Sequence, residues 1–266
     1  MKVIFVASGN KSVGTVSSFV RTQYESLSDE GIEMELFPVV GHGWKPYLKS
    51  IISLRKKIRR ESPDIIHAHY SVCGVVASLA SWGLSTKVVV SILGSFPKRN
   101  FKLHWVKFFS SHLWDRTITK SERTAQQLGL VVDIVPNGVN MDKFNLIDFE
   151  EARRMVGFFP DKKYIIWCSH PQRVEKRYSL AQASVSLLDA PNVELVPVFD
   201  KPHDEVVKYM CAADLLLLTS ANEGSPNVIK ESMACNCPIV TTDVGDVRWV
   251  LNGVEGTYVA DSDDPQ

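Results

Sequence analysis

Two glutamates, Glu223 and Glu231, stand eight positions apart, with Gly224, Ser225, Pro226, Asn227 and Val228 in between. An apolar run, Leu215 to Leu218, comes just before, and a second apolar segment, Pro238-Ile239-Val240, follows. This reads as strand, tight loop, helix, strand. Loops at the carboxyl ends of parallel strands are where open α/β sheets take ligands. Gly224 lets a ligand approach the backbone closely. Ser225 is placed to cap the helix and Pro226 suits its first position. Such a helix start offers free N–H groups and a positive dipole end, a site for phosphate. A carboxylate on each side suits sugar hydroxyls. The same acids also fit an ordinary helix start favoured by the dipole.

Further upstream, His170 to Lys176 spells HPQRVEK at the end of a predicted strand. Arg173 offers a planar fork and Lys176 a point charge. Fixed cations of this kind stabilise a departing diphosphate as it gains charge. A solvated charged loop is the alternative. Gly9 and Gly14 bracket a polar loop after the first apolar run. It has the makings of a phosphate cradle but lacks both G-x-G-x-x-G and G-K-[ST]. His67 and His69 alternate at the end of another strand. They lack an acidic third ligand for a metal, and His69 fits a cleft residue or a packed one. Asp261-Ser262-Asp263 spells D-x-D, but in an acidic terminus; no metal site is expected.

These residues need elements to hold them. Strands are predicted at 3–7, 33–39, 64–67, 87–92, 116–119 and 131–135, with helices at 12–27, 46–60, after the third strand through Leu79, and at 101–113. Residues 136–140, Pro-Asn-Gly-Val-Asn, form a turn. Residues 141–162 read as a polar linker with a short helix. The alternation then restarts, with strands at 164–168, 193–198, 215–218, 239–241 and near 257–259. Helices are predicted at 175–188, 203–212, 226–234 and near 247–251. The helix at 175–188 is expected to turn Leu180, Ala181, Val185, Leu187 and Leu188 to one side. Strict strand–helix alternation means parallel sheets covered by helices. The expected domains are 1–140, a linker at 141–162, and 163–266.

The whole string from Glu223 to Asp246, EGSPNVIKESMACNCPIVTTDVGD, resembles the E-x(7)-E signature of retaining glycosyltransferases of the GT-B fold, the bacterial polysaccharide-type group 1 enzymes. The resemblance covers the whole chain. It implies two Rossmann-like α/β domains with parallel sheets facing across a cleft, and a hexose-type sugar moved from a nucleotide diphosphate donor to a hydroxyl acceptor. It implies that Glu223 faces the donor sugar and Glu231 holds the ribose. Gly224, Ser225, Pro226, Asn227 and Val228 would meet the donor, and Arg173 and Lys176 its diphosphate. Pro136 to Asn140 resembles the family's P-N-G-V-D, and Asp64 to His69 its D-V-I-H-A-H. Gly14, His69 and Gly94 become cleft or acceptor candidates. One departure is Leu93, which stands where many relatives carry the histidine of T-x-H-G, so the contact to the donor sugar is lost. Neither metal nor other cofactor is implied. Acceptors would be saccharide or lipid-linked, in cell-surface polysaccharide or glycolipid synthesis. The resemblance also leads us to expect further C-terminal helices beyond Gln266, and lower activity without them. A sugar-nucleotide 2-epimerase, which shares the fold, or a non-catalytic nucleotide-sugar-binding fragment are the alternatives.

The 266 residues carry 30 basic and 30 acidic side chains, a balance that argues against a general nucleic-acid binder. The balance hides an asymmetry: residues 1–142 hold 18 Lys and Arg against 11 Asp and Glu, and the remainder 12 against 19. A basic half suits anionic surfaces. Lys and Arg crowd the helix at 46–60, beside Trp44, Tyr47, Ile51, Ile52 and Leu54, so peripheral contact with anionic membrane is one expectation. Five cysteines, with no disulfide or zinc spacing, read as thiols in a reducing compartment. No apolar run reaches 18 residues. A cytoplasmic enzyme is expected, with peripheral contact at the inner face of the membrane as a further expectation.

Overall fold

The computed structural model describes residues 1–9, 16–41, 43–94, 101–262 and 264, with the backbone alone at Phe101 and Lys102. The chain forms two compact units, Met1–Asn137 and Gly138–Gln266. Each is a parallel sheet with helices on both faces.

In the first unit the strands are β1 (Lys2–Ser8), β2 (Glu33–Val39), β3 (Ile65–His69), β4 (Lys87–Ile92), β5 (Arg116–Thr119) and β6 (Asp133–Ile134). They lie in the order β2-β1-β3-β4-β5-β6. The helices are α1 (Ser18–Asp29), α2 (Lys45–Glu61), α3 (Ser71–Ser81), α4 (Phe101–His112) and α5 (Glu122–Leu128). Successive side chains of a strand point to opposite faces. Ile4 and Val6 of β1 therefore join Leu54 and Ile58 of α2 and Val76 and Ala77 of α3. Val3, Phe5 and Ala7 join Val20 of α1 on the other face. Helix α5 lies within a stretch where the sequence pattern marks none. Ser121 caps it through Thr124 N–H, and Gly129 closes it at φ +60°.

The second unit runs α6 (Phe149–Val156), β7 (Lys163–Cys168), α7 (Tyr178–Ser186), β8 (Val193–Val198), α8 (His203–Ala212), β9 (Leu215–Leu218), α9 (Asn227–Ala234), β10 (Ile239–Thr242), α10 (Val247–Val250) and β11 (Thr257–Ala260). The order is β11-β10-β9-β7-β8. Ile166, Leu216, Leu218 and Ile239 face α8, α9 and α10. Ile165, Trp167 and Leu217 face Tyr178, Ala181 and Val185 of α7.

Two expectations change here. Residues 141–162 are built into the second unit rather than strung beside it. Phe144 and Ala152 are in its core, and buried Arg153 donates to the Ala212, Phe159 and Lys162 carbonyls and to Asp214. A guanidinium buried with this many acceptors anchors a segment that polarity alone marks as loose. Helix α7 starts later and stops earlier than the apolar spacing implies. A short 3-10 turn covers Val174–Lys176, the helix ends at Ser186, and Leu187 and Leu188 are exposed.

Candidate functional site

Within the second unit, three strand ends supply the site. At the carboxyl end of β9, Thr219 and Ser220 are buried and the chain turns into Glu223. The turn after β7 is fastened onto that end. Arg177 Nε donates to the Thr219 carbonyl at 2.7 Å and its Nη2 to the Ser220 carbonyl at 3.0 Å. Thr219 Oγ1 lies within hydrogen-bond reach of the carbonyls of Lys176 (2.9 Å) and Arg177 (3.0 Å), and accepts from Trp167 Nε1 at 3.0 Å. Ala221 N–H closes on the Glu175 carbonyl at 2.8 Å. These bonds hold Lys176 against Glu223, and the ammonium forms an ion pair with Glu223 Oε1, both side chains being mostly buried. An ammonium has three donors; among the described residues one goes to Glu223, which leaves two for a ligand beside it.

From β10, Thr242 Oγ1 donates to the Ser220 carbonyl at 2.7 Å. The following turn brings Gly245, at φ +58°, beneath the Glu223–Gly224 backbone. A Cβ at Gly245 would lie 2.5 Å from the Gly224 carbonyl oxygen and 3.2 Å from that of Glu223. The loop therefore rests on a glycine.

Helix α9 begins at Asn227, with Pro226 as its N-cap residue and no side-chain cap. This corrects the expected capping by Ser225. Pro226 has an extended backbone (φ −70°, ψ 118°), and Ser225 Oγ instead accepts from Lys230 Nζ. Pro226 itself offers no side-chain oxygen to the first turn, and a helix start of this kind presents backbone N–H groups and a positive dipole end to an anion. Gly224, Ser225 and Pro226 are buried, Asn227 and Val228 partly so. Glu231 sits on α9 one turn in. Burial pushes its carboxyl up to about 7 against the opposing pull of Lys230. Asp246 is also buried and raised by burial, with Ser225 and Lys230 opposing; neither of its oxygens completes a hydrogen bond.

Arg173 is not brought to this cluster. Its guanidinium is exposed and paired with Glu175 at 2.7 Å. Gly245, Lys230, Asp246 and Arg177 belong to the site although no spacing singles them out. A Gly-Asp pair that begins four positions past the end of a predicted strand is the one signal the sequence offers. Asp261 of the D-x-D string pairs with Arg248 at 2.7 Å, and Asp263 lies outside the described residues. Among the described residues no three His, Cys, Asp or Glu are placed to hold a metal ion.

In the first unit, Gly14 lies outside the described residues. Gly94 is exposed with open space around its Cα, so nothing steric demands a glycine. His69 is fully buried rather than presented to a ligand. Its ring stacks on His67 at 4.5 Å, meets Phe5 edge-on at 4.6 Å, and neither nitrogen has a hydrogen-bond partner. Burial depresses His67 to about 4 and His69 to about 2, the positive charge of Lys120 adding to both. Histidines depressed in the folded state stabilise it fully above the unfolded value near 6.5, and that contribution is lost as pH falls below it. Between pH 6.5 and 4.5 each should cost about 2–3 kcal/mol. Urea unfolding of the first unit should show this loss, and His69→Phe should remove roughly half of the pH slope. An unchanged slope would contradict the burial account.

Residues 159–266 match the family model described as glycosyl transferases group 1, and residues 15–143 match that of glycosyltransferase family 4. The two matching models, one on each side of residues 144–158, both describe glycosyltransferases. TuaC of Bacillus subtilis (strain 168), named for teichuronic acid biosynthesis, is 27% identical over 226 residues, 75% of this chain and 58% of TuaC. The chain thus spans less than two thirds of that relative. Among solved structures, sucrose-phosphate synthase from Thermosynechococcus elongatus superposes with a TM-score of 0.77 at 17% identity, covering 100% of this chain and 87% of that one. HepE of Anabaena, solved in complex with UDP, gives 0.73 at 15% identity, covering 98% and 85%. At these identities the likeness is one of fold, the two-sheet α/β architecture of GT-B glycosyltransferases. The epimerase and binding-fragment alternatives are separated from transfer by activity, not by fold.

Proposed function

We propose that this chain is a retaining glycosyltransferase. It moves a hexose-type sugar from a nucleoside-diphosphate donor to a hydroxyl acceptor in the synthesis of cell-surface polysaccharide or glycolipid. The observation that carries the reading is the Lys176–Glu223 pair, held beside the uncapped start of α9 with Glu231 one turn further on. In this reading the diphosphate lies at the α9 N-terminus, where backbone N–H groups and the dipole favour it. Glu231 accepts from ribose hydroxyls. Glu223 orients hexose hydroxyls, and Lys176 bridges Glu223 and the β-phosphate. As the C1–oxygen bond to the leaving phosphate breaks, charge grows on that oxygen, and the ammonium stabilises it without needing a metal. The acceptor hydroxyl then attacks from the face the diphosphate leaves, giving up its proton to that phosphate. Arg173 joins the diphosphate after exchanging Glu175 for it.

Incubation with UDP-, GDP- and ADP-sugars tests this. Nucleoside diphosphate should be released only when an acceptor is added, and proton NMR of the product should show the donor's anomeric configuration. Glu223→Gln should slow transfer by about a hundredfold or more while leaving nucleoside diphosphate affinity nearly unchanged. Equal loss of both would make Glu223 a structural residue. Acceptor-independent release, or an altered sugar still on its nucleotide, would point to the epimerase reading.

A further inference from the structure

Helix α2 is amphipathic in an unusual sense: its solvent face is itself partly apolar. Leu54 and Ile58 point into the core. On the opposite side Leu48 and Ile52, with Trp44 at the helix start, are 52%, 64% and 67% exposed. Their spacing of four places all three along one stripe. Lys45, Lys49, Lys56 and Arg59 are exposed beside that stripe, and none of them forms an ion pair among the described residues. The acids nearby are already neutralised. Glu35 and Glu61 are both paired with Lys57, and Glu61 also with Arg60 at 2.6 Å. The exposed face of α2 therefore carries positive charge and large apolar side chains together, and no carboxylate.

At the start of the helix this face borders a groove of about 480 Å³. Phe37, Pro38 and Val40 line it from the end of β2, and Lys45, Lys49 and Ser53 from α2. Two lysines thus line the groove from the helix and apolar side chains line it from the strand end. We propose that the α2 face and this groove form a docking site for an anionic phospholipid bilayer. The lysines meet lipid phosphates, while Trp44, Leu48 and Ile52 enter the boundary between headgroups and acyl chains.

Charge and apolar area are both needed at such a surface, and the fold supplies them on one rigid element. A basic helix with Trp and Leu on its face lies in the plane of an interface, and Trp suits the headgroup level. Among the described residues no helix is long and apolar enough to cross a membrane, so the contact is one of surface docking. The fold also says where the bilayer would sit on the first unit. β1, β2 and β3 are parallel, with Ser8 beside Val39, and Ser8 Oγ hydrogen-bonds Tyr47 OH at 2.7 Å. The Trp44 end of α2 is thus tied to the carboxyl edge of the sheet, the edge at which α/β units take ligands. Bilayer docking there would bring lipid-linked molecules to that edge. The docking surface itself does not depend on which sugar the second unit binds.

Sedimentation of the whole chain with vesicles tests the proposal. One set contains about 30% phosphatidylglycerol in phosphatidylcholine, the other phosphatidylcholine alone. The chain should pellet with the anionic set at low salt and be released as salt shortens the Debye length below about 10 Å. Each basic residue at the surface contributes about fivefold in partitioning. Lys45→Gln with Lys49→Gln should therefore weaken binding about 25-fold, and Leu48→Asp with Ile52→Asp at least tenfold. All four positions are exposed, so circular dichroism should stay unchanged. Brominated acyl chains should quench tryptophan emission in the wild type, and Trp44→Phe should lose the quenched part. Equal pelleting with both vesicle sets, wild-type binding by the folded double variants, or quenching that survives Trp44→Phe would each overturn the proposal.

Discussion

Gly245→Val is expected to abolish donor binding and transfer while leaving the second unit folded. At φ +58° the residue occupies a left-handed conformation that costs an L-residue about 1–2 kcal/mol, and a β-branched one more. The larger effect is contact. A Cβ there would stand 2.5 Å from the Gly224 oxygen, 2.9 Å from its carbonyl carbon and 3.2 Å from the Glu223 oxygen. All three are backbone atoms, with no flexible side chain to swing aside. The Glu223–Gly224 loop would have to lift by roughly 1 Å, enough to cost about a hundredfold when a reacting group is misplaced. The Lys176 pair would be pulled apart with it. Three variants separate the causes. Asn tolerates positive φ, so Gly245→Asn should be about as damaging as Gly245→Ala if contact dominates, and Val should exceed both. Full transfer activity in the Asn variant would show that backbone strain, not the packing beneath the loop, matters.

Glu231→Gln should make the unliganded protein more stable and the enzyme worse. The Glu231 carboxyl is raised to about 7 by burial, above its unfolded value near 4.5. A carboxyl raised in the folded state is favourable below the unfolded value, and that advantage is lost as pH rises through the folded one. Above pH 7 the buried charge thus burdens the native state by up to about 3 kcal/mol. Glutamine removes the burden, so urea unfolding at pH 8 should show a gain of that order, fading toward pH 4.5. Calorimetry should show nucleoside-diphosphate-sugar affinity falling tenfold or more, as expected when a charged hydrogen-bond partner of about 1.5–3 kcal/mol is removed. In the wild type, donor binding should weaken as pH drops below about 7, because the carboxylate is the acceptor form. A variant that is no more stable at pH 8, or that binds donor unchanged, would remove Glu231 from the site.

Both predictions concern residues that follow strands, Glu231 on α9 after β9 and Gly245 in the turn after β10, and those strands were largely readable. β2, β4, β5, β8 and β9 fall where short apolar runs between turn residues place them. The parallel architecture follows from strand–helix alternation, which depends only on local period. The E-x(7)-E spacing likewise lies within one loop and one helix. Misplaced elements have local causes too. The α6 segment looks like a spacer because its anchor is one buried arginine, and α5 is short enough to pass for loop.

The sequence by itself determined most of the elements, their parallel pairing, and the two glutamates flanking a helix start. What only the tertiary structure decided is which side chains meet. Lys176 reaches Glu223 across 47 positions, and Gly245 supports Gly224, because parallel register brings the carboxyl ends of β7, β9 and β10 to one edge. His69 is packed rather than presented because β3 is a central strand with Phe5 beside it and helices over both faces. Arg173 turns to Glu175, whose carboxylate two residues on accepts from its Nε at 2.8 Å. Each outcome depends on distances between segments far apart in the chain, and one-dimensional spacing carries no measure of those.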